Sequence, residues 1–343
     1  MIDIRGGDAG LGTGALLEAR EPPEARGLAR DGVRLLISHR DDERIEHAVF
    51  RELPSFLRAG DLLVVNTSAT IPAALAARSA DGTELRLHLS TRLPAGLHVV
   101  EVRDQQGGAA FATAGLLALP GGATAQLLAR YRDSKRLWIA SLAGVGVLDE
   151  YLRRHGKPIG YAYLRREWPI DAYQTVYAEV PGSAEMPSAG RPFTLALLTR
   201  LRAGGVGVAG VVLHAGVASV ERDEPPYEEW FVVPRATADR INTARRRGGR
   251  VIAVGTTVVR ALESAADFDG RVSACNGWTE LVVIPPRGVR AIDGLLTGLH
   301  EAESTHLGML EAIAGRCSIE RAYRAAVQRG YLWHEFGDSH LIV

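Results

Sequence analysis

Val251–Ser264, VIAVGTTVVRALES, is the stretch that decides how this chain folds. Four apolar residues, Val251 to Val254, have the β-branched content and length of a buried strand, and Gly255 ends the run. Thr256 and Thr257 then stand where hydroxyls cap a first helical turn. Val258, Val259, Leu262 and Ala265 recur at helical spacing and leave Arg260 and Glu263 on another face. A strand, glycine, helix junction points unpaired N–H groups and the positive end of the helix dipole at one spot beyond the sheet edge, which favours a carboxylate or phosphate. The plainer reading, in which the threonines only cap a helix and Gly255 only relieves a turn, has equal weight for this stretch alone.

Helices and strands alternate on both sides of this unit. Upstream, the periodicity predicts a helix over Thr194–Ala203, a strand over Val206–Leu213 and a helix over Ala236–Arg247. Downstream it predicts a strand over Thr279–Ile284 and helices over Thr305–Ala314 and Ile319–Arg329, the last capped by Ser318. Nearer the N-terminus, Leu35–Ile37 reads as a strand continued by Val49 and Phe50, Leu53–Asp61 has a helix or turn signal, and Leu62–Val65 is a buried strand.

Between Thr83 and Leu142 the period changes. Leu85, Leu87 and Leu89 alternate with Glu84, Arg86, His88 and Ser90, and short runs follow at Leu97–Val102, Gln126–Tyr131 and Leu137–Ala140, separated by turns such as Asp81-Gly82 and Pro120-Gly121-Gly122. Such strands with no helix between them predict a small antiparallel β-barrel or sandwich, and a helix over Val147–His155 follows. The fold class is therefore α/β, with residues 67–150 as an inserted β-barrel domain and residues 1–66 and 151–343 as the main α/β domain.

The 343 residues are 46% hydrophobic, enough for a full core in two domains. Acidic and basic residues number 40 each, so no global field announces nucleic acid or an anionic membrane as partner. Lys135 and Lys157 are the only lysines, and the arginines offer bidentate contacts to anions wherever they cluster. Cys275 and Cys317 fit no metal-ligand spacing and read as reduced thiols of a cytoplasmic protein. No signal or transit peptide is read at the N-terminus, and the uncharged segment between Arg202 and Glu221 is too glycine-rich to read as a membrane span. A monomer or weak homo-oligomer is expected.

Gly205–Gly210 fits the dinucleotide fingerprint by letter, yet it follows a helix and enters a strand, the reverse of the required order. His334, Glu335, Asp338 and His340 match no established metal-ligand spacing, so no metal is expected. Nucleophile-elbow and Walker motifs are absent. Asp171–Ala178, DAYQTVYA, is too polar for a core helix and suits a pocket wall where amide, hydroxyl and ring faces meet a planar ligand, while Met186–Thr194 leads directly into a helix N-terminus and makes a second anion-facing junction.

These runs carry a resemblance. DAYQTVYA, PSAGRPFT, LHAG, EEWF, AVGTTVVRALES, GWTELVV, LLTGLHEAEST and FGDSHLI, with LRAGDLLVVNTSATIPAAL upstream, occur in the order found in the S-adenosylmethionine:tRNA ribosyltransferase-isomerase family. The similarity extends from about Leu35 to Val343. It implies an α/β domain with an inserted barrel, and transfer of the ribosyl part of S-adenosylmethionine to 7-aminomethyl-7-deazaguanine in tRNA, giving epoxyqueuosine, adenine and methionine. S-adenosylmethionine is then a substrate, and tRNA is an implied partner that the balanced net charge does not support.

The chain departs from the family pattern at several places. The histidine of Ala-Gly-Leu-His-Phe-Thr is Pro192, that of Met-His-Ser-Glu is Tyr227, and the asparagine of Thr-Asn-Phe-His is Gly298. Gly-Thr-Phe has become Ala218-Ser219-Val220, and Pro-Leu-Pro-Pro-Tyr-Ile is reduced to Pro158–Tyr161.

The implied chemistry needs a base near the sulfonium ribose, because the positive sulfur makes the C5′ hydrogens acidic. His300 is the favoured base, with Ser304 and Thr305 fixing ligand and ring; His214 is the other retained candidate, equally readable as a bonded core histidine. Gly255, Thr256 and Thr257 would hold the methionine carboxylate, reinforced by Arg260. Tyr173, Gln174, Thr175 and Tyr177 would line the adenosine side, and Glu229 would bond a ribose hydroxyl or the acceptor amine. Ser188, Arg191, Thr194, Trp278 and Asp338 complete the expected substrate contacts. Two other readings stand beside this one: a paralogue using S-adenosylmethionine with a small-molecule acceptor or cleaving it, and a ligand-binding protein that kept the fold without catalysis.

Overall fold

The computed structural model describes residues 17–108, 114–161, 163–217, 227–300 and 305–343. Its centre is a nine-stranded mixed sheet. Four neighbouring strands, Gly207–Leu213, Leu62–Asn66, Val251–Val254 and Gly294–Gly298, run parallel. Glu229–Val233 and then Cys275–Thr279 add antiparallel on one side; Ser339–Ile342, Arg34–Ser38 and Ile45–Val49 complete the other.

The parallel strands are buried on both faces, as their unbroken apolar runs require. Leu62, Val64, Val251, Ala253 and Leu295 face one core, filled by the helices Arg235–Arg246, Thr256–Ala265, Thr305–Ala314 and Arg316–Gln328. Leu63, Val65, Ile252, Val254 and Leu296 face the other, under the helix Leu195–Ala203 and the short 3-10 segment Phe50–Phe56. The period of two along each strand thus assigns alternate residues to two separate cores.

Leu62–Asn66 and Gly207–Leu213 are adjacent in space but far apart in sequence, and a closed antiparallel barrel lies in the connection between them. Its strands are Ala74–Arg78, Glu84–Arg92, Leu97–Arg103, Gly115–Ala118, Thr124–Arg130 and Leu137–Ala143. Leu85, Leu87 and Leu89 point into its core, as their alternation predicts. Ala74–Arg78 is mostly alanine and Gly115–Ala118 sets two leucines side by side, so neither shows that alternation in sequence, and both are needed to close the barrel. Ser68–Thr70 pairs with Val180–Ser183 in a small two-stranded sheet on the path between barrel and main sheet.

Three local expectations are corrected. The strand expected over Thr279–Ile284 is Cys275–Thr279, paired residue for residue with Glu229–Val233. The last long helix begins at Arg316, with Gly315 rather than Ser318 at its cap, so one glycine separates the two terminal helices. Phe50 does not continue the strand ending at Val49 but opens the 3-10 segment. Among the described residues no helix is long and apolar enough to cross a membrane.

Candidate active site at the carboxyl edge of the parallel strands

In open α/β sheets ligands bind beyond the carboxyl ends of the parallel strands. Here those ends deliver His214, Asn66, Gly255 and His300 to one edge. The antiparallel neighbours enter at the same edge: Phe231 pairs with Leu213 and Ser339 with Gly298, which places Glu229 and the turn containing Asp338 beside them.

Gly255 caps the helix Thr256–Ala265 with φ 94° and ψ 153°, a conformation that only glycine adopts readily. No side chain caps this helix, which corrects the expected threonine cap. The Thr257 hydroxyl instead accepts from Asn66 Nδ2 at 3.3 Å. The N–H groups of Thr256 and Thr257, first in the helix, have no acceptor within it and face the edge with the dipole's positive end. Gly255 N–H is spent on Leu296 O at 2.8 Å.

The second junction is adjacent. A Cβ built on Gly255 would lie 3.4 Å from Ala189 Cβ, so the 3-10 turn Ser188–Gly190 sits directly against the glycine. Gly190 in turn has no room for a side chain because the Tyr177 hydroxyl occupies that space, with Thr175 beside it. Among the described residues Thr175 Oγ1 and Tyr177 OH are buried without hydrogen-bond partners. Unpartnered buried hydroxyls are costly, and a ligand's polar atoms are their natural complement.

His300 Nε2 lies 2.8 Å from Thr297 Oγ1, its N–H donates to the Tyr323 hydroxyl at 3.2 Å, and its ring stands 4.5 Å from that of His306. Burial, and then the neighbouring His306, His340 and His334, hold its pKa well below the ordinary 6.5, so it is a neutral base at pH 7. His214 is held by Ser68 Oγ at 2.8 Å, which also meets Ser183 Oγ at 2.7 Å, and any side chain at Gly182 would collide with its ring. Burial, then Arg92, lowers its pKa as well.

Several expected contacts are committed elsewhere. The Arg260 guanidinium donates to Glu229 and to the carbonyls of Tyr227, Thr279 and Leu281, and Glu229 also accepts from Gly216 N–H at 3.0 Å. Arg260 and Glu229 thus lock each other. Asp338 accepts from Arg34 and from Leu332 N–H and holds its own turn. Arg191 donates to Ala172 O and Glu24 and lies over the Phe336 ring, although its Nη1 has no partner. The Gln174 amide pairs with both backbone groups of Thr70. Tyr173 is buried against Phe336, and the Thr194 hydroxyl caps the helix Leu195–Ala203. Trp278 is 40% exposed on the outermost strand, separated from Val251–Val254 by three others. Ser304, the side chain of Thr305 and Ala218-Ser219-Val220 lie outside the described residues.

Asn66 is the residue that the sequence reading left out of the site. Its side chain bonds both backbone groups of Leu213, the N–H of Ser68 and the Thr257 hydroxyl, tying three parts of the edge together. Its signals were a polar residue directly after the apolar run Leu62–Val65 and its place in the family-like run LRAGDLLVVNTSATIPAAL.

An α/β protein with an inserted barrel, whose parallel-strand edge combines an uncapped helix N-terminus, buried hydroxyls and two neutral imidazoles, has the equipment to hold a small polar ligand beside a base. The sequence model of the queuosine biosynthesis protein family matches residues 15–342. Similar proteins include the S-adenosylmethionine:tRNA ribosyltransferase-isomerases of Thermotoga maritima, 37% identical over 334 residues, and Moorella thermoacetica, 38% identical over 344 residues; each comparison covers 95% of this chain and 96% of the relative. The crystal structure of the S-adenosylmethionine tRNA ribosyltransferase from Thermotoga maritima is similar with a TM-score of 0.53 at 32% identity, covering 95% of this chain and 96% of that one. The chain belongs to the queuosine biosynthesis protein family.

Proposed function

We propose that this chain is an S-adenosylmethionine:tRNA ribosyltransferase-isomerase that transfers the ribosyl part of S-adenosylmethionine to the aminomethyl group of 7-aminomethyl-7-deazaguanine in tRNA. The products are epoxyqueuosine, adenine and methionine. The site is proposed to act in the cytoplasm, without a metal. The observation that supports the reading is the close approach of the Ser188–Gly190 turn to Gly255 at the carboxyl edge, which sets the two stretches singled out in the sequence side by side.

In this reading the N–H groups of Thr256 and Thr257 bind the methionine carboxylate, favoured by the helix dipole. The hydroxyls of Thr175 and Tyr177 meet the adenosine. The base at C5′ is His300: with Nε2–H donated to Thr297 Oγ1, the lone pair on Nδ1 is free to take the proton. Departure of adenine follows. Arg260, Glu229 and Asn66 act on the site's shape, holding strand ends and loops in register.

The test is adenine release from S-adenosylmethionine with a minimal tRNA bearing 7-aminomethyl-7-deazaguanine, measured alongside the modified nucleoside. Equal amounts of both are expected. No adenine with that tRNA, or the same adenine without it, would overturn the reading; the second result would point to a small acceptor or to simple cleavage.

Gly255→Ala is expected to destabilise the chain by about 1–3 kcal/mol, because alanine is strained at this backbone conformation. Titration calorimetry should show at least tenfold weaker binding of S-adenosylmethionine, since relaxing the strain moves the helix N-terminus. Unchanged affinity would exclude this cradle.

A further inference from the structure

Glu229, the carboxylate expected for the acceptor amine, is spent on Arg260 and Gly216, and Asp338 is spent on Arg34 and Leu332. Another carboxylate at the same edge is not. Among the described residues Glu335 Oε2 is buried and has no hydrogen-bond partner. Its position follows from register: Ser339 pairs with Gly298, so the turn that precedes Ser339 lies beside the chain leaving Gly298 toward His300.

That turn is held in an unusual conformation. His334 has φ 73°, a left-handed backbone uncommon for a residue with a side chain, and Gly337 has no room for a Cβ against Leu332 and Trp333. Such strain persists only where the surroundings enforce it, and it clusters at functional sites. Here Asp338 fixes the turn through three hydrogen bonds from Arg34 and Leu332, and the Phe336 ring packs 5.4 Å from that of Tyr173.

The neighbours suit a flat cation. The rings of Tyr161, Tyr163 and His334 form a stacked series, with centroids 5.6 and 4.4 Å apart and interplanar angles of 13° and 16°. The charges of Glu185 and Glu335 both act on the Tyr161 hydroxyl, which is bonded to Glu185. Carboxylates beside stacked rings recognise a positively charged amine carried on a planar heterocycle.

We propose that Glu335 binds the primary ammonium group of the acceptor base and takes a proton from it. One N–H bond breaks, the proton forms an O–H bond at Oε2, and the electron pair stays on nitrogen, which becomes nucleophilic. The assignment rests on the proposed function, because it takes its acceptor from there. Burial lifts the Glu335 carboxyl to about 7, where a proton is accepted or returned with little bias near neutral pH.

The test compares wild type with Glu335→Gln, using S-adenosylmethionine and tRNA bearing either 7-aminomethyl-7-deazaguanine or its unreactive, uncharged 7-cyano counterpart. In the variant the KM for the aminomethyl tRNA should rise at least tenfold and kcat should fall, with the Kd for S-adenosylmethionine unchanged. Wild type should bind the aminomethyl tRNA in preference to the cyano form, and the variant should bind the two alike. Its Tm should be equal or higher, since a buried carboxyl without a partner costs stability. Unchanged acceptor kinetics in an active variant overturn the assignment alone. A lower Tm with weaker S-adenosylmethionine binding would make Glu335 a structural residue, which also overturns it. A wild type that releases no adenine with the aminomethyl tRNA sinks the proposed function and this assignment together.

Discussion

His300→Asn is expected to lower kcat by about 10²–10⁴, the usual worth of a positioned general base, while S-adenosylmethionine still binds with wild-type affinity. Asparagine keeps a polar group near Thr297 but cannot take a proton. The pH profile supplies the second readout. Burial, then His306 on the helix Thr305–Ala314, His340 on the neighbouring strand and His334 in the turn, keep His300 neutral at pH 7. A base with a lowered pKa is active above that pKa and lost as pH falls through it. The acid limb of kcat/KM should therefore lie below 6.5 in wild type and disappear in the residual activity of His300→Asn. An undiminished kcat would remove His300 from the chemistry and turn attention to His214, which the same edge presents neutral and held by Ser68.

The second large effect concerns the barrel. Glu101 is 2% exposed and accepts from Arg136 at 2.8 Å and Arg103 at 2.6 Å, with His88 Nδ1 at 3.6 Å. Glu101→Ala should cost about 3–5 kcal/mol in denaturant unfolding, because it leaves buried guanidinium charges uncompensated. Replacing Glu101 and Arg136 together by leucine and methionine should cost less, since the more buried guanidinium goes with the carboxylate and only Arg103, which also donates to Gly107 O, loses its partner.

Acid should act on the same group. Burial alone would raise the Glu101 pKa, but His88, Arg103 and Arg136 outweigh it and bring it from 4.5 to about 2. A depressed carboxylate pKa stabilises the fold above the unfolded value and stops doing so as pH falls through the folded one. About 3 kcal/mol should thus be lost between pH 4.5 and 2, and Glu101→Ala should lack that part of the acid transition. Parallel acid curves for both proteins would contradict it.

Some of the architecture was written locally. The leucine alternation at Leu85–Leu89 and the strand, glycine, helix order at Val251–Ser264 were legible because each depends on residues a few positions apart, and the structure keeps both. Ala74–Arg78 and Gly115–Ala118 were illegible because a run of alanines and a pair of adjacent leucines leave no period, and their pairing is dictated by barrel closure. The cap at Gly255 was misread for a related reason: the Thr257 hydroxyl had a better use, as acceptor for an asparagine 191 residues away.

By itself the sequence determined the units of this protein, an α/β sheet interrupted by a barrel, and the strand, glycine, helix order at Val251–Ser264. Only the tertiary structure decided which charged groups are available there. Arg260 and Glu229 stand 31 positions apart and Arg191 and Glu24 stand 167 apart, yet each pair is joined in the fold. Glu335 has no such partner. Hydrophobic period is a property of neighbours along the chain, whereas whether a charge is spent depends on which distant group folding brings within hydrogen-bond reach.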